Sequence, residues 1–172
     1  MDLINFREAN FKDIHQIVDL VNISYRSKDL QGWTSEANII DGNRINYEQL
    51  KKLFKEDSKL FVMFSSQELI GCVHIKKKYN SCYIGMLTSH PKFQNMGIGK
   101  KILKLAEEFS IKNYSINTFE ISVLSLRKEL IHFYERRGYK LTGERDPYPI
   151  DADVGNPLSL DIEVLHLRKQ II

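Results

Sequence analysis

The chain has 172 residues, 42% of them hydrophobic and 27% charged, with a formal net charge of +3 at pH 7. This balance is typical of a folded domain with its own core, so we expect a single domain over residues 1–172 rather than a disordered chain. The small positive charge argues against a nucleic-acid-binding surface, and no apolar run approaches the ~18 residues that a membrane helix needs.

The first half of the chain predicts one strand, two helices and a three-strand meander. A short strand covers Ile4 to Glu8, and Asn10 is a suitable N-cap for an amphipathic helix that follows. Periodicity is lost over residues 26–46, and a second short helix starts near Tyr47. Three strands are then predicted over residues 59–64, 69–76 and 82–87.

The second half predicts a helix, a strand, a second helix and two more strands. The first helix begins near Gly97, and a strand follows over residues 118–123. Ser125 is a candidate cap for the next helix, which ends at Gly138. Strands are expected over residues 139–144 and 161–167, with a loop over 146–159 between them. This order predicts an α/β protein with a mixed sheet.

A glycine-rich turn joins the third meander strand to the helix at Gly97. Such a turn gathers unpaired backbone N–H groups at the positive end of a helix, which is an anion site. Lys100, Lys101 and Lys104 crowd the same end, where positive charge opposes the helix dipole, so a bound polyphosphate would explain them. The alternative is an ordinary helix start with solvated lysines. Position 94 is glutamine and position 102 is isoleucine, so neither the Walker loop nor the dinucleotide fingerprint is present.

Two motifs resemble the GNAT N-acetyltransferase superfamily. Gln94-Asn95-Met96-Gly97-Ile98-Gly99 is similar to its acyl-CoA-binding pattern, and Tyr134 with Gly138-Tyr139 is similar to its late helix. Arg127 stands where asparagine is usual, and the stretch through Arg44 resembles a bacterial subgroup that identifies no substrate. The resemblance implies a GNAT fold, with a central mixed, mostly antiparallel sheet of about six to seven strands flanked by about four helices.

The resemblance also implies acetyl-CoA as cosubstrate. The backbone of Leu87, Thr88 and Ser89 would pair with the pantetheine arm, and an N–H group near Leu87 would polarise the thioester carbonyl. Arg127 would contact a phosphate in place of the usual asparagine. The residues implied to hold the pyrophosphate are Gln94, Asn95, Met96, Gly97, Ile98, Gly99 and Lys100.

Transfer of an acyl group to an amine needs an acid for the departing thiolate and a base for the ammonium group. Tyr134 is the candidate acid, because a phenol is protonated at neutral pH; the alternative is that it is a core aromatic residue. The base is open among Glu120, His74, Glu36 and a chain of water molecules.

The acceptor is expected between residues 26–46 and 146–159, by the same resemblance. Trp33 and Glu36 would hold its ammonium group, or Trp33 would only fix its segment to the core. We therefore expect an N-acetyltransferase that moves acetyl to a primary amine of a small molecule or peptide by direct attack in a ternary complex. The alternative is a non-catalytic acyl-CoA-binding module that acts as a sensor.

Cys72 and Cys82 are the only cysteines, and neither has spaced histidine or cysteine partners. They predict no metal site and no disulfide framework, and we expect them to face each other, reduced, across a hairpin. The sequence has no signal peptide pattern, which indicates a cytoplasmic protein, with no nucleic-acid or membrane partner, acting as a monomer or homodimer.

Overall fold

A seven-stranded sheet forms the centre of the protein in the computed structural model, which describes residues 3–172. The elements in chain order are β1 (Ile4–Glu8), α1 (Ile14–Arg26), β2 (Ile40–Asp41), α2 (Tyr47–Lys51), β3 (Ser58–Ser65), β4 (Glu68–Lys77), β5 (Cys82–Ser89), α3 (Ile98–Tyr114), β6 (Thr118–Leu124), α4 (Lys128–Glu135), β7 (Lys140–Pro147), β8 (Asn156–Pro157) and β9 (Glu163–Gln170). The predicted α/β architecture is confirmed.

The strand order of the sheet is β1-β3-β4-β5-β6-β9-β7. Every neighbouring pair is antiparallel except β5 and β6, which run parallel and pair only through Cys82 with Phe119 and Tyr83 with Glu120. Beyond Tyr83 the two strands separate, and β5 continues to Ser89 with no other strand of the described chain beside it on that edge. The separation leaves a wedge-shaped opening in the middle of the sheet.

Helices cover both faces of the sheet. On one face, α3 and α4 bury Ile98, Ile102 and Ile131 against the strands, while α1 and α2 bury Ile17 and Leu50 on the other. None of the helices within residues 3–172 has both the length and the apolar content that crossing a bilayer requires.

A β-bulge in β5 sits beside the opening. One residue of β4, Val73, lies opposite both Met86 and Leu87, because His74 pairs with Gly85 and Cys72 with Thr88. Met86 has φ +51°, the left-handed region that non-glycine residues rarely occupy. The bulge places Leu87 on the α3 face of the sheet and Met86 on the α1 face.

Three local expectations were wrong. Ser125 does not cap α4; its hydroxyl accepts from the backbone N–H of Glu163 at 3.0 Å, and the helix begins at Lys128. The 146–159 loop contains β8, which pairs with β2. Cys72 and Cys82 do not face each other, because the bulge and the strand pairing place them in different core clusters, and both are free.

Candidate active site

The opening between β5 and β6 encloses a cavity of about 280 Å³, which we call the splay cavity. Its walls come from both strands, from α1 and α4, and from residues within 26–46 and 146–159. The short pair of β2 and β8 ties these two segments together through Ile40 with Pro157 and Asp41 with Asn156. The fold thus brings both segments expected around an acceptor to one cavity.

Among residues 3–172, four tyrosines line the splay cavity, and two of them, Tyr134 and Tyr25, differ in whether their hydroxyl groups are hydrogen-bonded. Tyr134 on α4 is only 5% exposed, and its hydroxyl has no hydrogen-bond partner among residues 3–172. Burial raises the pKa of Tyr134 well above the usual 10, so the phenol keeps its proton at neutral pH. Tyr25 on α1 is engaged instead, because its hydroxyl donates to the carbonyl of Leu87 at 3.0 Å.

Glu36 is the only acidic side chain of the described chain that lines the splay cavity. It is buried and pairs with Arg26 at 3.4 Å and with Arg127 at 3.8 Å. Burial raises the pKa of Glu36, although the charges of Arg26, Arg44 and Arg127 act in the opposite direction. A carboxyl group with a raised pKa in a cavity is a candidate for proton transfer.

The side chain of Arg127, just before α4, is bonded to the segment that carries Glu36. Its guanidinium donates to the backbone carbonyls of Trp33 and Thr34, the latter at 3.0 Å, and it pairs with Glu129 at 2.6 Å. The side chain is 5% exposed. This placement gives no support to a phosphate contact by Arg127; its side chain ties the start of α4 to residues 33–36.

A second cavity of about 260 Å³, the entrance cavity, adjoins the splay cavity; Arg44 and Tyr83 line both. His74, one of the candidate bases, lines the entrance cavity and bonds the hydroxyl of Ser58 at 2.6 Å. Burial lowers the pKa of His74 to about 4, so the imidazole is neutral at pH 7.

A third cavity of about 420 Å³, the loop cavity, lies at the start of α3 and is bounded on the other side by α4. Of the predicted pyrophosphate residues, Met96 alone does not line it and is 63% exposed. The residues that do are Gln94, Asn95, Gly97, Ile98, Gly99 and Lys100.

The loop cavity fits a pyrophosphate group. Asn95 and Gly97 have φ +66° and +70°, and Gly97 begins α3 without any side-chain cap, which leaves first-turn N–H groups for a ligand. Lys100, Arg136 and Arg137 also line the cavity and provide positive charge. The amide nitrogen of Gln94 is buried and has no partner among the described residues, so a polar ligand group would satisfy it.

The end of β5 connects these cavities, because Leu87 lines the splay cavity and Ser89 lines the loop cavity. Two residues of strand span about 7 Å. Thr88 between them is buried, and its hydroxyl donates to the carbonyl of Met86 at 2.8 Å. The three residues expected along the pantetheine arm therefore lie on the path between the two cavities.

Trp33 lies on the loop-cavity side of this path rather than in the splay cavity. Its indole N–H donates to Ser89 at 3.0 Å, and its ring stacks on Phe133 with centroids 4.8 Å apart. A Cβ on Gly99 would come within 2.7 Å of the Trp33 ring. These contacts match the alternative in which Trp33 fixes its segment, and they place the ring beside the candidate cofactor groove.

Glu120, the remaining base candidate, lies elsewhere. It lines an outer cavity and pairs with Lys78 and, at 3.1 Å, with Arg168. In the same outer cavity, His166 bonds Ser122 at 3.0 Å and Asp146 at 2.6 Å.

Sequence reasoning did not single out Tyr25, Arg44 or Ser122 as lining the splay cavity. Tyr25 follows Val21 at helical spacing, a pattern that predicts a core position only. Arg44 lies in an irregular stretch whose resemblance to a bacterial subgroup gives this residue no role.

A family model described as the acetyltransferase (GNAT) domain matches residues 31–146. No curated protein matches the chain. Among solved structures, the ribosomal-protein-S18-alanine N-acetyltransferase from Escherichia coli superposes with a TM-score of 0.74 at 10% identity, over 98% of this chain and 94% of that one.

Two further solved structures have the same fold. A mutant of the spermidine N-acetyltransferase from Vibrio cholerae gives a TM-score of 0.69 at 17% identity, over 97% of this chain and 93% of that one. The IAA acetyltransferase from Bacillus cereus superposes with a TM-score of 0.70 at 14% identity, over 98% of this chain and 100% of that one. At these identities the likeness establishes the fold alone.

Proposed function

Because the chain belongs to the GNAT acetyltransferase family, we propose that it moves an acetyl group from acetyl-CoA to a primary amine in a ternary complex. The observation that carries this proposal is the path along β5. It joins the loop cavity, which fits a pyrophosphate group, to the splay cavity, which the protonated Tyr134 lines. A small-molecule or peptide amine would enter the splay cavity from the entrance cavity.

The chain's own groups would divide the work along this path. The N–H groups at the start of α3, with Lys100 and Gln94, would hold the pyrophosphate, and the open edge of β5 would hold the pantetheine arm. Bound acetyl-CoA would supply the acetyl group as a thioester. A backbone N–H near Leu87 would polarise the carbonyl, and the Tyr134 hydroxyl would donate its proton to the departing sulfur.

We assign the base to Glu36. Of the three side chains considered, it alone lines the splay cavity, whereas His74 and Glu120 line the entrance and outer cavities. A base works best when its pKa lies near the working pH, and burial moves the pKa of Glu36 in that direction. Its carboxylate would accept the proton that the ammonium group loses before attack.

The alternative is a sensor that binds acyl-CoA without turnover. The ion pairs of Glu36 with Arg26 and Arg127 favour it, because they occupy the carboxylate that would act as base. Both alternatives need the loop cavity, so binding of acetyl-CoA does not separate them. Release of free thiol in the presence of amines does.

The test is a thiol-release assay with a panel of amines on the wild type, Tyr134→Phe and Glu36→Gln. We expect each variant to lose about a hundredfold in kcat, since general acid–base groups contribute on this scale, with little change in acetyl-CoA affinity. Tyr79→Phe is the matched control, because Tyr79 is fully exposed and lines none of these cavities. Unchanged turnover in Tyr134→Phe removes its role, and acetyl-CoA binding without thiol release for any amine establishes the sensor.

A further inference from the structure

The charges around the splay cavity are paired, with one exception. Glu36 pairs with Arg26 and Arg127, and Arg127 pairs also with Glu129. These two carboxylates and two guanidinium groups balance each other. Within the described chain, the remaining charged side chain that lines the splay cavity is Arg44.

Arg44 stands where the splay cavity and the entrance cavity meet, and it lines both. Its guanidinium makes no hydrogen bond or ion pair with any group of residues 3–172, whereas its backbone is held firmly. Asn22 on α1 accepts from the N–H groups of Arg44 at 2.8 Å and Ile45 at 3.2 Å, and donates to the carbonyl of Ile45 at 2.8 Å. The anchored backbone therefore presents, at the mouth of the cavity, a guanidinium without a hydrogen-bond or ion-pair partner, whose charge also acts on Glu36.

The chemistry of the walls restricts the acceptor further. No acidic side chain lines the entrance cavity within residues 3–172, and His74 there is neutral at pH 7. A polyamine would bring several positive charges beside Arg44 without any free carboxylate to receive them. An acceptor with an anionic group would instead pair with the Arg44 guanidinium, whose two parallel N–H donors are free to bind it.

We propose, on the basis of the proposed acetyl transfer, that the acceptor is a small amine that also carries a carboxylate. Arg44 would bind the carboxylate, and the amine would be directed toward Leu87 and Tyr134. Carboxylate is favoured over phosphate because one planar guanidinium matches a carboxylate, while phosphate sites use several donors, as the loop cavity does. The volumes of about 280 and 260 Å³ suit a compound of amino-acid size.

The experiment compares each amino acid with its own carboxamide, which keeps the amine and the shape but removes the negative charge. Spermidine and phosphoethanolamine complete the panel. We expect kcat/KM to favour carboxylates over their carboxamides by about tenfold or more in the wild type, since a hydrogen bond to a charged group contributes on this scale. Arg44→Gln should reduce the ratio to about one, and Arg44→Lys should keep part of it.

Arg145→Gln is the matched control, because Arg145 is exposed, pairs with Glu163 and lines none of the cavities described. Equal or better turnover of carboxamides, spermidine or phosphoethanolamine overturns the inference, as does a preference that survives in Arg44→Gln.

If no amine releases thiol, the proposed acetyl transfer fails, and the inference is judged by thermal shift in the presence of acetyl-CoA. A carboxylate that raises Tm in the wild type but not in Arg44→Gln supports it. Equal shifts with carboxylate and carboxamide refute it.

Discussion

Replacing Gly97 by alanine tests whether the loop cavity binds an anion, without disturbing the core. Gly97 has φ +70°, and a Cβ at this position would meet no atom within 4 Å. Left-handed backbone costs an L-residue ~1–2 kcal/mol, and alanine recovers ~0.4–1 kcal/mol through its less flexible unfolded state. The net loss of stability is therefore about 1 kcal/mol, and it arises from the backbone alone, since no clash contributes.

The same substitution should damage ligand binding more than stability. Gly97 lines the loop cavity, and we expect a methyl group on it to keep a phosphate away from the backbone N–H groups. We expect acetyl-CoA affinity to fall by at least about tenfold, which corresponds to ~1.4 kcal/mol. Isothermal titration calorimetry measures the affinity, and urea denaturation measures the stability.

Gly143→Ala supplies the matched control. Gly143 on β7 has φ +87°, and a Cβ there would likewise meet no atom within 4 Å, but this glycine lines none of the cavities. Its substitution should cost the same stability and leave acetyl-CoA affinity unchanged. Wild-type affinity in Gly97→Ala, or an equal loss of affinity in Gly143→Ala, would show that the backbone at Gly97 does not bind the pyrophosphate.

Three further outcomes are expected. Burial lowers the pKa of His74 to about 4 in the folded chain, against about 6.5 in the unfolded chain. Between these pH values the unfolded chain binds more protons, so stability falls as the pH falls. The stability that is present above pH 6.5 and lost through this window is about 3 kcal/mol. His74→Asn should flatten that dependence in urea denaturation, and an unchanged profile would contradict the burial argument. Trp33→Ala should change KM for acetyl-CoA and leave KM for the acceptor unchanged, because the ring contacts Ser89 and Gly99; the reverse pattern would place Trp33 with the acceptor. Glu107→Gln should destabilise by about 2 kcal/mol in thermal or urea unfolding without affecting acetyl-CoA binding, because the buried carboxylate accepts from both Lys169 and Tyr139; an unaltered Tm would show that neither contact contributes.

The elements and the glycine loop were predictable because their signals are local. Apolar residues at helical spacing placed the start of α3 at Gly97, where the structure has the helix cap. The same holds for the three meander strands, whose ends shift by only one or two residues. Tyr134 was identified through its resemblance to a family motif, and it does line the splay cavity.

The arrangement of charges was not predictable, since it depends on residues far apart in the chain. Arg127 lies 91 positions beyond Glu36, and only the packing of α4 against residues 33–36 brings them together. The bulge at Met86 was not predictable either, because methionine at this position gives no sequence signal for left-handed backbone. The sequence likewise left two positions open for Trp33, beside the acceptor or fixing its segment to the core, and only the folded chain shows its contacts with Ser89 and Phe133.

Within residues 3–172, the parallel contact between β5 and β6 covers two residue pairs, and it is the one strand pairing that joins the β1-β3-β4-β5 half of the sheet to the β6-β9-β7 half. We therefore expect backbone amides on the open edge of β5 to exchange with solvent more readily than those inside either half of the sheet. A ligand laid along that edge would act as the missing stretch of strand. If acetyl-CoA binds there as proposed, its concentration would set the fraction of molecules in which the two halves of the sheet are bridged along this edge.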